Sequence, residues 1–287
     1  MDNTVCFVFS LPHFSVRVMF LITSFIVIQN TQLCCLAFKT KHFNLSTAAP
    51  HWATAGATWY GAPDGFGSDG GSCGYGTSVS QAPFTSLVFG ASPSLYKSGT
   101  ECGACYLIKC TKKMHPACSG KPVRVVITDF CPGCTSGSAH FDLSGTAFGG
   151  MAIPGHDGKL RDAGVLNIRY ARVACDYSGK NIVFHVDQGS NPSYFAAVIQ
   201  YEEGDGDLAG VDLMQSSSSS SSSAADGWMK MQQSWGAVWM LNPGFELQPP
   251  FSIRLTSKLS GQTLVAKDVI PTGWQPGATY RSLVNFL

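Results

Sequence analysis

Val123-Arg124-Val125-Val126-Ile127-Thr128-Asp129 decides the class of fold. A short apolar run of this kind, stopped by Pro132-Gly133, reads as a buried strand. It ends on a carboxyl group. A second carboxyl follows in His140-Phe141-Asp142-Leu143-Ser144-Gly145, again against apolar neighbours. A carboxyl held between apolar walls is a candidate acid, because desolvation disfavours its ionised form. Two carboxyls flanking a cleft are the apparatus for cutting a glycosidic bond. The question is whether both halves of that apparatus are present.

Outward from this strand, residues 52–176 hold further short apolar runs at 104–108 and 165–173, with many glycines between them. Val165, Asn167 and Arg169 alternate with Leu166, Ile168 and Tyr170, the period of a strand. Residues 142–151 are the one helical stretch predicted here. On the bland reading Asp142 caps that helix, and Asp129 hydrogen-bonds its own turn. Residues 177–180 read as a linker. From residue 181 strand-like pieces recur at 181–186, 194–201, 228–233, 251–255 and 262–266, the spacing of a β-sandwich. The serine run 216–223 reads as a loop between strands.

Composition narrows the partner. Net charge is +1 and charged residues make up 13% of the chain, about half the usual share. Residues 109–113 form the only dense basic spot, too short to follow a phosphate backbone, so nucleic acid is excluded and an uncharged polar partner fits. Arg17 precedes an apolar stretch, 18–28, that is too short to span a membrane and is followed by small residues up to Ala37. Residues 1–37 therefore read as an export signal. Asn44-Leu45-Ser46 is a glycosylation sequon just beyond it.

Past residue 37 the cysteines are Cys73, Cys102, Cys105, Cys110, Cys118, Cys131, Cys134 and Cys175, all in the first domain. An even cluster in an exported chain reads as a disulfide framework. The pairs Cys102/Cys105 and Cys131/Cys134 also have the spacing of a four-cysteine zinc site, which oxidising surroundings disfavour. In Thr58-Trp59-Tyr60-Gly61 the aromatic faces suit stacking on sugar rings, and they suit a core strand equally well.

Thr58 to Gly61, Gly70-Gly71-Ser72-Cys73-Gly74-Tyr75-Gly76, Gly103-Ala104-Cys105-Tyr106, Val126-Ile127-Thr128-Asp129 and the stretch 140–148 together closely resemble an expansin. So do Asn191-Pro192-Ser193-Tyr194, Ser234-Trp235-Gly236-Ala237-Val238-Trp239 and Pro250-Phe251-Ser252-Ile253-Arg254-Leu255-Thr256 further on. The details look like a plant β-expansin.

That resemblance implies an all-β chain. A disulfide-stapled double-psi β-barrel at 52–176, similar to family-45 endoglucanases, is followed by an immunoglobulin-like carbohydrate-binding β-sandwich at 181–287. It implies a secreted, monomeric wall protein that needs no cofactor or metal. Such a protein loosens contacts between cellulose and matrix glycans such as xylan without cutting them. Carried over by motif, Asp142 takes the position of the endoglucanase proton donor. Thr58, Tyr60, Asp129 and His140 are polar groove residues, Trp59 and Tyr60 groove aromatics, and Tyr194 and Trp235 the sugar-binding face of the sandwich. The implied bridges are Cys73–Cys102, Cys105–Cys175 and Cys110–Cys118. Cys131 and Cys134 depart from the family pattern and read as a small bridge or a reactive pair, the latter needing a helix from Cys131 that Thr135-Ser136-Gly137-Ser138 argues against.

Family-45 enzymes carry a base aspartate just after the aromatic pair. Here Gly61 follows Tyr60, and the next acid, Asp64, sits in a Pro-Gly turn. Without a carboxylate to activate water, hydrolysis lacks a partner. An endo-β-1,4-glucanase and a purely carbohydrate-binding wall protein are the alternative readings.

Overall fold

The computed structural model describes residue 45 and residues 49–177, 179–216 and 227–286. The export signal, Asn44 and most of the serine run lie outside the described residues.

Six strands close into a barrel: β1 (Ala53–Tyr60), β2 (Val88–Ala91), β3 (Cys105–Lys109), β4 (Val123–Phe130), β5 (His140–Ser144) and β6 (Leu166–Val173). Their order around the wall is β1-β5-β2-β4-β3-β6. β1 runs parallel to β5 and β2 parallel to β4, while the other pairs are antiparallel. Alternation builds the interior: Ala57, Phe89, Ile108, Ile127, Phe141, Leu143 and Ile168 are fully buried. Phe89 stacks on Phe141 with centroids 4.6 Å apart.

The barrel carries more helix than its sequence pattern predicts. α1 (Pro93–Tyr96), α2 (Gly145–Gly150) and α3 (Asp157–Arg161) are each about one turn. The helix expected from residue 142 starts at Gly145, and Asp142 belongs to β5. The cap is Ser144, whose hydroxyl accepts from Ala147 N at 3.0 Å. The stretch read as a linker begins in packed structure. Tyr177 is buried against Phe84 and Tyr201, and Cys175 forms a β-bridge with Gly204.

The second half is a two-sheet sandwich. One sheet orders β10 (Met229–Lys230), β9 (Leu208–Gln215), β13 (Phe251–Ser257) and β14 (Thr263–Ile270). The other orders β11 (Gln232–Trp235), β12 (Val238–Leu241), β8 (Phe195–Gln200), β7 (Val183–Val186) and β15 (Thr279–Arg281). Residues 228–233, which read as one strand, divide between β10 and β11, which lie in different sheets. Phe184, Phe195, Val211, Leu213, Phe251, Ile253 and Leu255 fill the space between the sheets.

The two halves share an apolar cluster, in which Phe84 of the barrel half packs on Tyr201 and which includes Val198 and Val238 of the sandwich, and polar contacts add to it. Ala237 N donates to Cys73 O at 2.9 Å, and Gln233 Nε2 to Gly99 O at 3.1 Å. Arg172 of β6 reaches Glu101 at 2.7 Å and Asp207 at 2.8 Å, and Lys258 reaches Glu101 at 3.1 Å.

Candidate functional site on the barrel face

β1 and β5 present matched faces because Gly56 pairs with His140, Ala57 with Phe141 and Thr58 with Asp142. Their odd–even alternation sends Ala57, Phe141 and Leu143 inward and leaves Thr58, His140 and Asp142 together on the other side. Thr58 Oγ1 donates to Asp142 Oδ1 at 2.6 Å and lies 3.0 Å from His140 Nε2, which donates to it. Burial pushes the His140 imidazole below its usual pKa, and Asp142 opposes that shift. One hydroxyl thus ties a carboxyl and an imidazole into a hydrogen-bonded row.

β2 lies between the two acids. Gly90 pairs with Asp142 on one side and with Asp129 on the other. The two carboxyl-bearing residues are two strand spacings apart, roughly 10 Å between Cα atoms, with no side chain between them.

Hydrogen bonding treats the two carboxyls differently. Asp129 Oδ1 accepts from Ser72 N at 2.7 Å and from Phe130 N at 2.7 Å, and Oδ2 accepts from Ser68 Oγ at 2.9 Å. Both oxygens are occupied by ordered donors, and the carboxylate works as a clasp on the loop 67–74. The loop's glycines allow that approach. Gly71 has φ +44°, and a Cβ there would sit 2.0 Å from Asp129 Cγ. Gly67, at φ +86°, leaves room for the Tyr60 ring, which a Cβ would meet at 2.4 Å. Burial, with Asp129 and Asp142 adding to it, pushes the Tyr60 phenol up to about 12 against the opposing Ser68 bond, so it remains a hydrogen-bond donor.

The aromatic residues divide. Trp59 leaves β1 on the side opposite Thr58 and Tyr60, half-buried, with its indole N–H donating to Arg161 O at 3.2 Å. Trp235 is 50% exposed at the end of β11, with its ring edge against Gly74 of the clasped loop. Tyr194 is half-buried in a turn closed by the Asn191–Tyr194 bridge and packs toward the barrel-side core. A line therefore runs from Thr58 and Asp142 through Gly90 and Asp129 to Ser72, Gly74 and Trp235. Gly90 in that line and Ser68 beside it carried no signal in the sequence, since a glycine in a strand and a serine in a loop are ordinary there.

Four disulfides staple this half: Cys73–Cys102, Cys105–Cys175, Cys110–Cys118 and Cys131–Cys134. Cys102 and Cys105 bond to different partners, so the four-cysteine zinc arrangement does not exist. Among the described residues no cluster of His, Cys, Asp or Glu could hold a metal, and no helix is long and apolar enough to cross a membrane.

Residues 182–271 match the family model described as the expansin C-terminal domain, and residues 88–170 match one described as lytic transglycolase. Expansin-B11 of Oryza sativa subsp. japonica is 57% identical over 84% of this chain and 80% of its own length. The chain belongs to the expansin family. Putative expansin-B2 of Arabidopsis thaliana, 53% identical over 87% of this chain and 89% of its own, places it with the β-expansins. The crystal structure of apo Clavibacter michiganensis expansin superposes with TM-score 0.60 at 21% identity, over 83% of this chain and 98% of that one. A mutant of that bacterial protein, crystallised in complex with cellohexaose, superposes equally well. At that identity the likeness is one of fold, a barrel followed by a sandwich.

Proposed function

We propose that this expansin is a secreted cell-wall-loosening protein that grips cellulose and matrix glycans and parts them without hydrolysis. The observation that carries the reading is the unequal state of the two carboxyls. Asp142 is tied only to a hydroxyl it shares with His140, whereas Asp129 has both oxygens filled by protein donors. Three of the roughly four acceptor sites of that carboxylate are taken by protein donors, which suits a structural clasp better than the water-activating base that inverting hydrolysis needs. Asp64, the next acid after Tyr60, lies exposed in a turn.

The cellohexaose complex of the bacterial expansin supports an extended β-glucan as the ligand. A sugar chain laid along the line from Asp142 to Trp235 would stack on Trp235 and Tyr194, each contact worth on the order of 1 kcal/mol. Thr58, Tyr60, His140, Asp129 and Asp142 would line the barrel part of that track, while Trp59, which leaves β1 on the other side, would not reach it. Binding that favours a detached chain over a packed one shifts that equilibrium toward release. The same reading makes residues 1–37 a cleaved export signal, Asn44 a glycan acceptor, 52–176 the gripping unit and 181–287 the anchoring unit of a wall-located monomer. The four disulfides support export.

The test is extension of wall specimens under constant load, run beside a reducing-end assay on the same preparation. Wild type extends the wall and releases no new ends, and Asp142→Asn loses at least about tenfold of the extension rate. Reducing ends produced at catalytic turnover would establish the glucanase alternative. Cellulose binding without extension would establish the purely adhesive one.

A further inference from the structure

The four disulfides differ in what surrounds them. Cys73, Cys102, Cys105, Cys110, Cys118 and Cys175 are all buried in the core of the barrel half. Cys131–Cys134 stands apart. Its two residues are three positions apart, Cys134 is partly exposed, and Pro132 and Gly133 between them are exposed. A ring this small constrains the unfolded chain less than the 70-residue loop of Cys105–Cys175. Its contribution to stability is therefore modest, while its position is sensitive. It follows Asp129 by two residues, at the end of β4.

We propose that Cys131–Cys134 is a thiol-exchange site at the edge of the groove, opened by low-molecular-weight thiols while the other three bridges stay closed. The thiolate of the incoming thiol attacks Cys134 Sγ, the accessible sulfur. The S–S bond breaks and its electron pair leaves with Cys131 Sγ, which takes a proton from water. A second thiolate attacks the mixed disulfide, releasing the oxidised thiol dimer and a Cys134 thiol. Two thiols are oxidised and one bridge is reduced. No helix begins at Cys131, and residues 130–139 contain no Lys or Arg to stabilise a protein thiolate. The open form is thus not held open, and the bridge re-forms under oxidising conditions.

The bridge connects to the groove through short steps. Cys131 N donates to Ala91 O at 3.0 Å, fixing the end of β4 to the end of β2. Phe130 N is one of the three donors to Asp129. The Phe130 ring packs on Tyr96 with centroids 5.0 Å apart, and Tyr96 Oη donates to Ser72 O at 2.9 Å. Beyond the bridge the turn is held by hydroxyl contacts, Thr135 with Ser138 at 2.8 Å and Ser94 to Ser138 O at 3.0 Å. Opening the bridge releases the segment next to the Asp129 clasp, and through it the loop that supports Trp235.

The folded protein, exposed to graded reduced glutathione, is alkylated with iodoacetamide and mapped by mass spectrometry. Cys131 and Cys134 take label at least about tenfold faster than the other six cysteines. Equal labelling of a second pair, or no label at 131 and 134 short of unfolding, overturns the assignment. Amide hydrogen exchange then reads the coupling. The Ser72 and Phe130 amides, both donors to Asp129, exchange several-fold faster in the opened protein and in the double variant Cys131→Ser/Cys134→Ser. Both return to the slow rate when oxidised glutathione re-forms the wild-type bridge. Unchanged exchange in the opened protein overturns the link to the groove. Neither readout uses wall extension, so each stands or falls apart from the proposed function.

Discussion

Thr58 is the residue on which the barrel face turns, because its one hydroxyl serves both His140 and Asp142. Thr58→Val keeps the shape and removes both bonds. Losing a part-buried hydrogen bond and leaving its partners unsatisfied costs about 1–3 kcal/mol. Chemical denaturation should show a loss in that range, and wall extension should fall at least about tenfold. Between His140 and Asp142 the charges are coupled in a way titration can read. Burial lowers the imidazole pKa and the Asp142 charge raises it. Removing that charge in Asp142→Asn therefore moves the His140 midpoint further down, measured by NMR of the ring protons. A midpoint that rises or stays in place would show that Asp142 carries no negative charge beside His140. For Asp129 the informative change is in its clasp. Gly71→Ala would put a methyl carbon 2.0 Å from the carboxyl carbon, a severe clash, at a left-handed φ, and it is the more damaging of two variants beside Ser68→Ala, which removes one donor for about 1 kcal/mol.

At the scale of elements, the hairpin β11–β12 does two tasks. Its turn, Gly236-Ala237, docks on the barrel through Ala237 N to Cys73 O, and Trp235 beside it keeps half its surface in solvent. Trp235→Ala should weaken binding to insoluble cellulose by about five- to tenfold, the equivalent of roughly 1 kcal/mol of stacking. The melting temperature should change little, because an exposed ring adds little to the core. A large loss of stability with unchanged binding would make Trp235 a strut between the two halves rather than a sugar platform. Helix α2 gives a control away from the sandwich: Ser144→Ala removes its cap and costs about 1 kcal/mol.

Across the whole molecule, the joint between barrel and sandwich concentrates buried charge. Burial pushes Glu101 up, but Lys97, Arg172 and Lys258 outweigh it and hold it below the usual carboxylate range. Burial prevails at Asp207, pushed up to about 6 despite Arg172 and Lys258, and at Glu202, pushed up to about 8 with Asp207 adding to the shift. The sign of the pH dependence follows. Between about pH 4.5 and 8 the folded protein keeps a proton on Glu202 that the unfolded chain has lost. The contribution of Glu202 is thus fully present below 4.5 and declines as pH rises to 8. Urea titrations across that window should show falling stability, and Glu202→Gln should flatten the slope. A wild-type slope retained in the variant would place the titration elsewhere. Arg172→Met removes the guanidinium that bridges Glu101 and Asp207, whose side chains are 7% and 1% exposed, and leaves Lys97 and Lys258 as their remaining cations, so it should cost about 1.5–3 kcal/mol.

The strand 123–130, the alternation along 166–173 and the sequence of apolar runs after 181 determined an all-β chain in two parts, because burial on one face writes itself into residue order with period two. Motif resemblance singled out Thr58, His140 and Asp142, which lie in contiguous stretches and which the pairing of β1 with β5 brings together. Other features were beyond any local pattern. Gly90 comes between the two carboxyls only because β2 is inserted between β5 and β4. Asp129 is a clasp because a loop some sixty residues earlier delivers Ser68 and Ser72 to it. Trp59 and Tyr60 are neighbours in sequence and part company in space, since successive side chains leave a strand on opposite sides. Register, closure and docking bring distant residues to one place, and those are decided by the packing of the whole chain rather than by any segment of it.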